Sequence, residues 1–163
     1  MDSLASPVSM KLVLLVEDEY GSAEVLQLLL EAEGYRVVHA GNGRDALALL
    51  AGEKPAAIIS DFMMPHMTGG ELGHALRASP ALQDIPFLLL SGTQEAVVQA
   101  AFDDYDAFVS KPFEVDSLLT LLAHFVANGR TPPPGVAGDA GARSEDMDFS
   151  LRQLLRGIKM PPS

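Results

Sequence analysis

Five polar side chains stand at the ends of four short, mostly apolar runs of the sequence, and their types fit binding or transfer of a charged group: Glu17 and Asp18 after the first run, then Asp61, Ser91 and Lys111. The runs have the length of β-strands. If the strands are parallel, their carboxyl ends meet at one edge of the sheet, where α/β proteins bind ligands. The pattern therefore predicts that three carboxylates, a hydroxyl and an ammonium group share one pocket.

Such a pocket has a definite chemistry. Three neighbouring carboxylates repel one another, which raises their pKa values unless a cation is present. Magnesium suits the position, because it is held by one or two carboxylates together with water and phosphate oxygens. Lys111 and Ser91 would bind further oxygens of a phosphoryl group. Asp61 is the acid best placed to attack phosphorus, because a carboxylate needs no neighbouring base.

Each of these residues also has an ordinary structural interpretation when it is taken alone. Asp61 fits a turn former, Glu17 and Asp18 fit a solvated loop, and Ser91 fits a helix cap. Lys111 fits a surface charge. The functional interpretation rests on the coincidence of all of them at one edge of one sheet.

Strand and helix patterns alternate along residues 11–128. Strands are predicted at 11–16, 35–40, 56–61, 86–91 and 106–110. A helical pattern follows each strand, and the first of these patterns places Val25, Leu26, Leu29 and Leu30 on its apolar side before Gly34 ends it. Asn42 and Thr68 predict helix starts. Five such units predict a parallel sheet with right-handed crossovers, in one three-layer α/β domain.

Composition narrows the classes of function. The chain has 163 residues and no cysteine, which excludes disulfides, thiolate catalysis and cysteine-based metal sites and favours a cytoplasmic protein. Residues 1–129 carry six basic and eighteen acidic side chains, a net charge of −12, which would repel nucleic acid and anionic membranes. The apolar runs are too short to span a bilayer, and no secretory signal is visible.

The composition of the sequence distinguishes the two ends of the chain from a folded middle part. Residues 1–10 are predicted to be a flexible leader, 11–129 the folded domain, and 130–147 a linker rich in proline and glycine. Residues 148–163 form a tail, in which 149–158 has the pattern of a short amphipathic helix with basic residues on one side. This segment fits either a helix that packs on the domain itself or one that docks on a partner or dimerises.

Four blocks of the sequence resemble the signature blocks of bacterial two-component response-regulator receiver domains. They are residues 14–19 (LLVEDE), 58–65 (IISDFMMP), 90–92 (LSG) and 109–113 (VSKPF). The blocks stand in the family's order and spacing between about residues 11 and 128. The resemblance implies a flavodoxin-like fold with strand order 2-1-3-4-5, here as a single receiver domain with a short C-terminal extension.

The resemblance also implies roles for individual residues. Asp61 would accept a phosphoryl group from a histidine kinase or histidine phosphotransfer protein. Asp18, Asp61 and the backbone carbonyl of Met63 would bind Mg²⁺, and Glu17 would act at least partly through water. Ser91 and Lys111 would each bind a phosphoryl oxygen, with a cis Lys111–Pro112 bond directing the lysine inward.

Phe108 matches the aromatic switch position of the family. A movement of Ser91 toward the phosphate would give Phe108 space to turn, and this would reshape a surface that a downstream protein binds. Plain core packing is the other interpretation of Phe108. A phosphorylation-dependent homodimer is a further expected partner, whereas nucleic acid and membrane are not expected. The domain would assist its own phosphorylation and dephosphorylation without being an enzyme.

Other classes fit the sequence less well. A Mg²⁺-dependent phosphohydrolase with an aspartyl phosphate is the main alternative, but such enzymes carry a second acid where this chain has Met63. A dinucleotide-binding enzyme would need a glycine-rich turn after the first strand, where acidic residues stand instead. A receiver that signals without phosphate would not need Asp61 and Lys111. The four histidines show no metal-binding spacing. Receiver domains usually have a Gly-Ala pair before the fifth strand, and this chain lacks it.

Overall fold

The computed structural model describes residues 10–133. The predicted leader 1–10, most of the predicted linker and the predicted tail helix therefore lie almost entirely outside the described residues. The described part contains five strands and five helices in strict alternation: β1 (Leu12–Val16), α1 (Tyr20–Ala32), β2 (Arg36–Ala40), α2 (Gly43–Leu50), β3 (Ala57–Asp61), α3 (Gly69–Ala78), β4 (Phe87–Ser91), α4 (Glu95–Ala101), β5 (Ala107–Ser110) and α5 (Val115–Asn128).

The sheet is parallel throughout, with the strand order β2-β1-β3-β4-β5. This confirms the predicted fold class. The register pairs Val16 with Ser60 and Asp61 with Leu90, so β1, β3 and β4 end at nearly the same level. Asp61 therefore lies at the end of the central strand, with the ends of β1 and β4 on either side.

Alternate residues of each strand pack on opposite faces of the sheet. All residues of β1, β3 and β4 are buried, as expected for strands covered by helices on both faces. Val13 and Leu15 of β1 pack with residues of α1 and α5, whereas Leu14 and Val16 pack with residues of α2 and α3 on the other face. The sheet is thus the middle layer between two hydrophobic cores.

The helix starts agree with the capping patterns in the sequence. Asn42 accepts a hydrogen bond from the Asp45 backbone N–H at the start of α2. Thr68 and Glu71 form a reciprocal capping box at the start of α3. Gly34, with φ of 98°, follows α1 in the left-handed conformation that glycine adopts without strain.

The rest of the domain covers only part of the apolar side of α1 that the sequence indicates. Leu26 and Leu30 are buried as expected, but Val25 is 59% exposed and Leu29 is 36% exposed. The physical reason is that successive helical residues turn by about 100°, so an apolar stripe four residues wide is broader than the strip that one sheet can cover. Leu28 is also exposed, and it widens this apolar surface.

A cluster of two arginines and two aspartates lies at the amino end of the strands, opposite the predicted pocket. Asp106, directly before β5, is 4% exposed and accepts hydrogen bonds from Arg77 (2.9 Å), Arg130 (2.9 Å) and the Phe87 backbone N–H (2.8 Å). Arg130 also donates to Asp104 at 2.6 Å. Arg130 comes directly after α5, so the cluster fixes the point from which the chain continues toward residue 133.

No helix within residues 10–133 is both long enough and apolar enough to cross a lipid bilayer.

Candidate functional site

The three carboxylates predicted to share a pocket do so. One ligand oxygen each from Glu17, Asp18 and Asp61 can be chosen such that all three lie within 4.8 Å of one another. Glu17 and Asp61 are buried, at 6% and 8% exposure, and Asp18 is exposed. The pocket therefore has a floor of two buried acids and one acid that faces water.

Lys111 supplies the positive charge of the pocket. Its ammonium group forms an ion pair with Asp61 and lies 3.7 Å from Oε1 of Glu17. Burial alone would lower the pKa of Lys111, but the contact with Asp61 and the charge of Glu17 raise it above its ordinary value. The lysine is therefore a fixed cation that compensates part of the acidic charge.

The buried Oδ1 atom of Asp61 depends on Lys111 alone. Within residues 10–133 the Lys111 ammonium group is its charged neighbour, and no backbone N–H or other side chain donates a hydrogen bond to it. A buried carboxylate of this kind is costly unless a cation or further donors serve it. The donor set consists of hard oxygen atoms, which is the chemistry that Mg²⁺ prefers. The residues present thus fit a hard divalent cation.

Glu17 is held in place by its backbone on both sides. Its N–H donates to the carbonyl of Ala40 at 3.0 Å, and its own carbonyl accepts from Nε2 of His39 at 2.7 Å. Its side chain accepts from the Glu19 backbone N–H at 3.1 Å. Burial raises the pKa of Glu17 to about 7, and the negative charge of Asp61 adds to this rise. The hydrogen bond from Glu19 acts in the opposite direction and lowers the pKa.

His39 is a contributor to the site that the sequence did not indicate, since the histidines show no metal-binding spacing. Its ring packs edge-on against Tyr20, with the centroids 5.4 Å apart. The available signal was its position, one residue before the end of the strand that neighbours β1. Because β1 and β2 pair in parallel, that position brings His39 beside the residues that follow β1.

Ser91 and Phe108 lie on the neighbouring strands β4 and β5. Ser91 is 3% exposed, and its hydroxyl oxygen accepts a hydrogen bond from the Thr93 backbone N–H at 2.9 Å. Phe108 is 6% exposed and packs against Tyr105, with ring centroids 6.0 Å apart. The hydroxyl of Tyr105 in turn contacts Glu95 at the start of α4. The aromatic pair therefore links the strand beside Ser91 to the first turn of a helix.

The loop that follows Asp61 is tightly folded. Met63 lies two residues past Asp61 and is 62% exposed. His66 has a φ of 71°, and the Met67 N–H next to it donates a 2.7 Å hydrogen bond to the carbonyl of Pro65. A Cβ atom on Gly69 would lie 2.5 Å from the carbonyl oxygen of Asp61, so only glycine fits there. The Lys111–Pro112 bond is cis, as predicted.

The fold and the pocket together define a class of protein: a parallel five-stranded α/β domain with an acidic cluster and a lysine at the carboxyl ends of its strands. The model of the response regulator receiver domain family matches residues 13–123. The chain belongs to this family of two-component response regulators, whose receiver domains act as phosphoacceptors in signalling. The acidic cluster fits the magnesium and phosphoaspartate site of that family.

Two response regulators are similar to this chain over most of its length. Response regulator Rre1 of Synechocystis is 34% identical over 161 residues, covering 97% of this chain and 68% of that protein. Response regulator MprA of Mycolicibacterium vanbaalenii is 33% identical over 151 residues, covering 90% of this chain and 62% of that protein. The chain thus spans about two thirds of the length of these relatives.

Solved structures agree with the fold. Chemotaxis response regulator CheY4 of Vibrio cholerae is 31% identical with a TM-score of 0.64, covering 71% of this chain and 98% of that one. Response regulator TrrA of Thermotoga maritima, solved in complex with Mg(2+)-BeF, is 29% identical with a TM-score of 0.61 and the same coverage.

Proposed function

We propose that Asp61 is the phosphoacceptor of this receiver domain and that the phosphodonor is a phosphohistidine of a histidine kinase or phosphotransfer protein. The observation that supports this most is the placement of Asp61, which is buried at the end of the central strand beside two other acids and Lys111. Of the three acids, Asp61 alone lies at the end of the central strand, between the carboxyl ends of β1 and β4.

The transfer needs no base. A carboxylate oxygen of Asp61 attacks phosphorus, a new P–O bond forms, and the P–N bond to the donor imidazole breaks. The departing imidazole nitrogen keeps the electron pair of that bond and takes a proton from water. The product is an aspartyl phosphate, and the ammonium group of Lys111 already lies beside the position of its added negative charge.

Glu17, Asp18 and Asp61 are the side chains that would hold Mg²⁺, with the backbone carbonyl of Met63 as a further ligand and Glu17 acting at least partly through water. Bound there, the cation supplies positive charge that offsets the carboxylates and the incoming phosphoryl oxygens. The complex of TrrA with Mg(2+)-BeF supports this assignment, since that receiver is similar to this chain.

Lys111 and Ser91 would bind phosphoryl oxygens after transfer. Lys111 already lies against Asp61, so its ammonium group can pair with a phosphoryl oxygen with little movement. Ser91 has its hydroxyl hydrogen free to donate, because within residues 10–133 its oxygen makes one hydrogen bond, which it accepts from the Thr93 backbone N–H.

A change at Ser91 would be transmitted through Phe108. Because this ring is already buried, we expect it to repack against Tyr105 and α4 rather than to move from solvent into the core. The surface formed by α4, β5 and α5 is then the readout for a downstream protein target or for a phosphorylation-dependent homodimer. The charge of −12 on residues 1–129 argues against nucleic acid or an anionic membrane as the partner of this surface.

Intact-mass measurement tests the assignment. The protein is incubated with Mg²⁺ and acetyl phosphate as wild type, as Asp61→Ala and as the control Asp84→Ala, which removes an exposed acid in the segment before β4. Wild type and control should gain one lasting phosphoryl group, and Asp61→Ala should gain none. Rapid multiple turnover would instead indicate the phosphohydrolase, and no gain in any protein would indicate a scaffold that does not use phosphate.

A further inference from the structure

An open groove lies between the start of α5 and the incompletely covered side of α1. Its volume is about 620 Å³. Most of its lining is apolar: Val25, Leu26, Leu29, Leu90, Pro112, Phe113 and Val115. Val25 and Leu29 are among the large apolar side chains that the described structure leaves exposed. Apolar area that remains in water at a concave surface favours an occupant.

The groove opens beside the acidic pocket. Glu17, Glu19 and Lys111 also line it. Exposed Glu114 and Asp116 stand on either side of the lining residue Val115 in sequence. Since Lys111 is already paired with Asp61 and Glu17, the free charge around the groove is negative. The fitting occupant is therefore an apolar segment with basic side chains.

Residues 149–159 of this chain have that chemistry. The segment carries five large apolar side chains, three basic ones and no acidic one: Phe149, Leu151, Leu154, Leu155 and Ile158, with Arg152, Arg156 and Lys159. The apolar residues recur at helical spacing. We infer that residues 149–159 dock in the groove between α1 and α5, with their apolar side chains on Val25 and Leu29 and their basic side chains toward the acidic rim.

The tether has a suitable length. The Arg130 cluster fixes the chain at the amino end of the strands, so the segment must travel back along α5, whose fourteen residues span about 21 Å. A flexible coil the length of residues 134–148 has a root-mean-square span of about 21 Å. Such a tether gives an effective concentration on the order of millimolar, so a weak contact is enough to hold the segment in place.

Paramagnetic relaxation tests the docking on the full chain. The chain has no cysteine, so Ser150→Cys provides a single site for a spin label. We expect selective broadening of the amide signals of residues 22–29 and 113–115, with those of α2 unaffected. Broadening that is absent, uniform or centred elsewhere would overturn the proposal.

Variants on both sides of the contact identify its cause. Leu154→Ser with Leu155→Ser on the segment, or Val25→Ser with Leu29→Ser on the groove, should each abolish the selective broadening. Arg152→Glu with Arg156→Glu should reduce it at least severalfold. The matched control Val97→Ser changes an equally exposed apolar residue on α4 and should leave the broadening unchanged.

A mixed sample separates docking within one chain from docking between two copies. Isotope-labelled chains without a spin label are combined with spin-labelled chains that carry no isotope. Absence of broadening in the mixture supports docking within one chain. Broadening that appears in the mixture to the same extent would show that a second copy fills the groove, and the inference would then be wrong.

Discussion

The ammonium group of Lys111 forms an ion pair with the carboxylate of Asp61. A bound cation would compete with Lys111 for this carboxylate, and a phosphoryl oxygen would compete with the carboxylate for Lys111. Lys111 is thus both a competitor for the metal and a partner for the phosphate. These two roles can be separated by experiment, because they predict opposite effects of removing the lysine.

The variant Lys111→Ala should bind Mg²⁺ more tightly and accept phosphate more slowly. The acidic pocket loses its compensating charge, which favours the metal, while the phosphoryl oxygens lose a partner. We expect phosphorylation by acetyl phosphate to slow at least tenfold, about 1.4 kcal/mol in the barrier. Calorimetric titration with Mg²⁺ and intact-mass kinetics measure the two effects, with Lys111→Arg as the charge-conserving control. Weaker metal binding together with unchanged kinetics would contradict both roles.

Binding of Mg²⁺ should depend on pH through Glu17. Its pKa of about 7 means that the metal-free pocket holds a proton on this residue below neutrality, and Mg²⁺ has to displace it. The apparent dissociation constant should be about tenfold larger at pH 6 than at pH 8. The variant Glu17→Gln should bind Mg²⁺ with a much flatter pH dependence, and an equally steep profile in this variant would place the titrating group elsewhere.

The raised pKa of Glu17 also affects the stability of the metal-free protein. The folded-state pKa of Glu17 lies above its ordinary value, so the folded state binds the proton more tightly than the unfolded state does. The contribution of Glu17 to the free energy of unfolding is therefore complete below about pH 4.5 and is lost as the pH rises through 7. Urea titrations of wild type and Glu17→Gln across this range should diverge accordingly.

Met63 should make the phosphorylated form long-lived. Its exposed thioether side chain cannot orient a water molecule for attack on the aspartyl phosphate. The variant Met63→Asn should lose phosphate severalfold faster, whereas Met63→Leu should match wild type. The half-life of the phosphorylated protein by intact mass measures this, and equal half-lives for asparagine and leucine would refute the role of this position.

Gly69 and Gly92 offer a matched pair of substitutions near the pocket. Gly69→Ala should destabilise the fold by about 2 kcal/mol, because the added Cβ would meet the Asp61 carbonyl oxygen at 2.5 Å and the backbone would have to move. Gly92→Ala should change stability by less than about 0.5 kcal/mol, since no atom of the described residues lies within 4 Å of its Cβ position. Equal decreases in the denaturation midpoints of Gly69→Ala and Gly92→Ala would show that a small backbone movement relieves the clash at Gly69.

The buried arginine–aspartate cluster should dominate stability at the amino end of the strands. Burial raises the pKa of the Asp106 carboxyl, while Arg130 and Arg77 oppose that rise. Asp106→Asn leaves the largely buried guanidinium of Arg77 with only the more distant and exposed Asp104 as an anion, and should cost about 3 kcal/mol in the free energy of unfolding. Arg130→Ala, whose side chain is more exposed, should cost clearly less. Urea denaturation of the two variants checks the order.

The sequence predicted the fold and the acidic pocket because both depend on local patterns. Each apolar run and the polar residue after it can be identified in a few residues, and the parallel topology then brings Glu17, Asp61 and Lys111 together. The Arg77–Asp106 pair was not predictable in this way, because its members are 29 residues apart and belong to no periodic pattern. The exposure of Val25 could not be predicted either, because periodicity gives the direction of a helix face but not the width that the sheet covers.

The position of Asp61 on the middle strand also limits how the pocket can be approached. Within residues 10–133, two strands lie on each side of β3 and helices cover both faces of the sheet, so this part of the chain leaves the carboxylate open only along the strand direction, from the rim. A small donor and a protein donor must therefore use the same opening, and one excludes the other. Competition between acetyl phosphate and a protein donor should accordingly be strictly mutual.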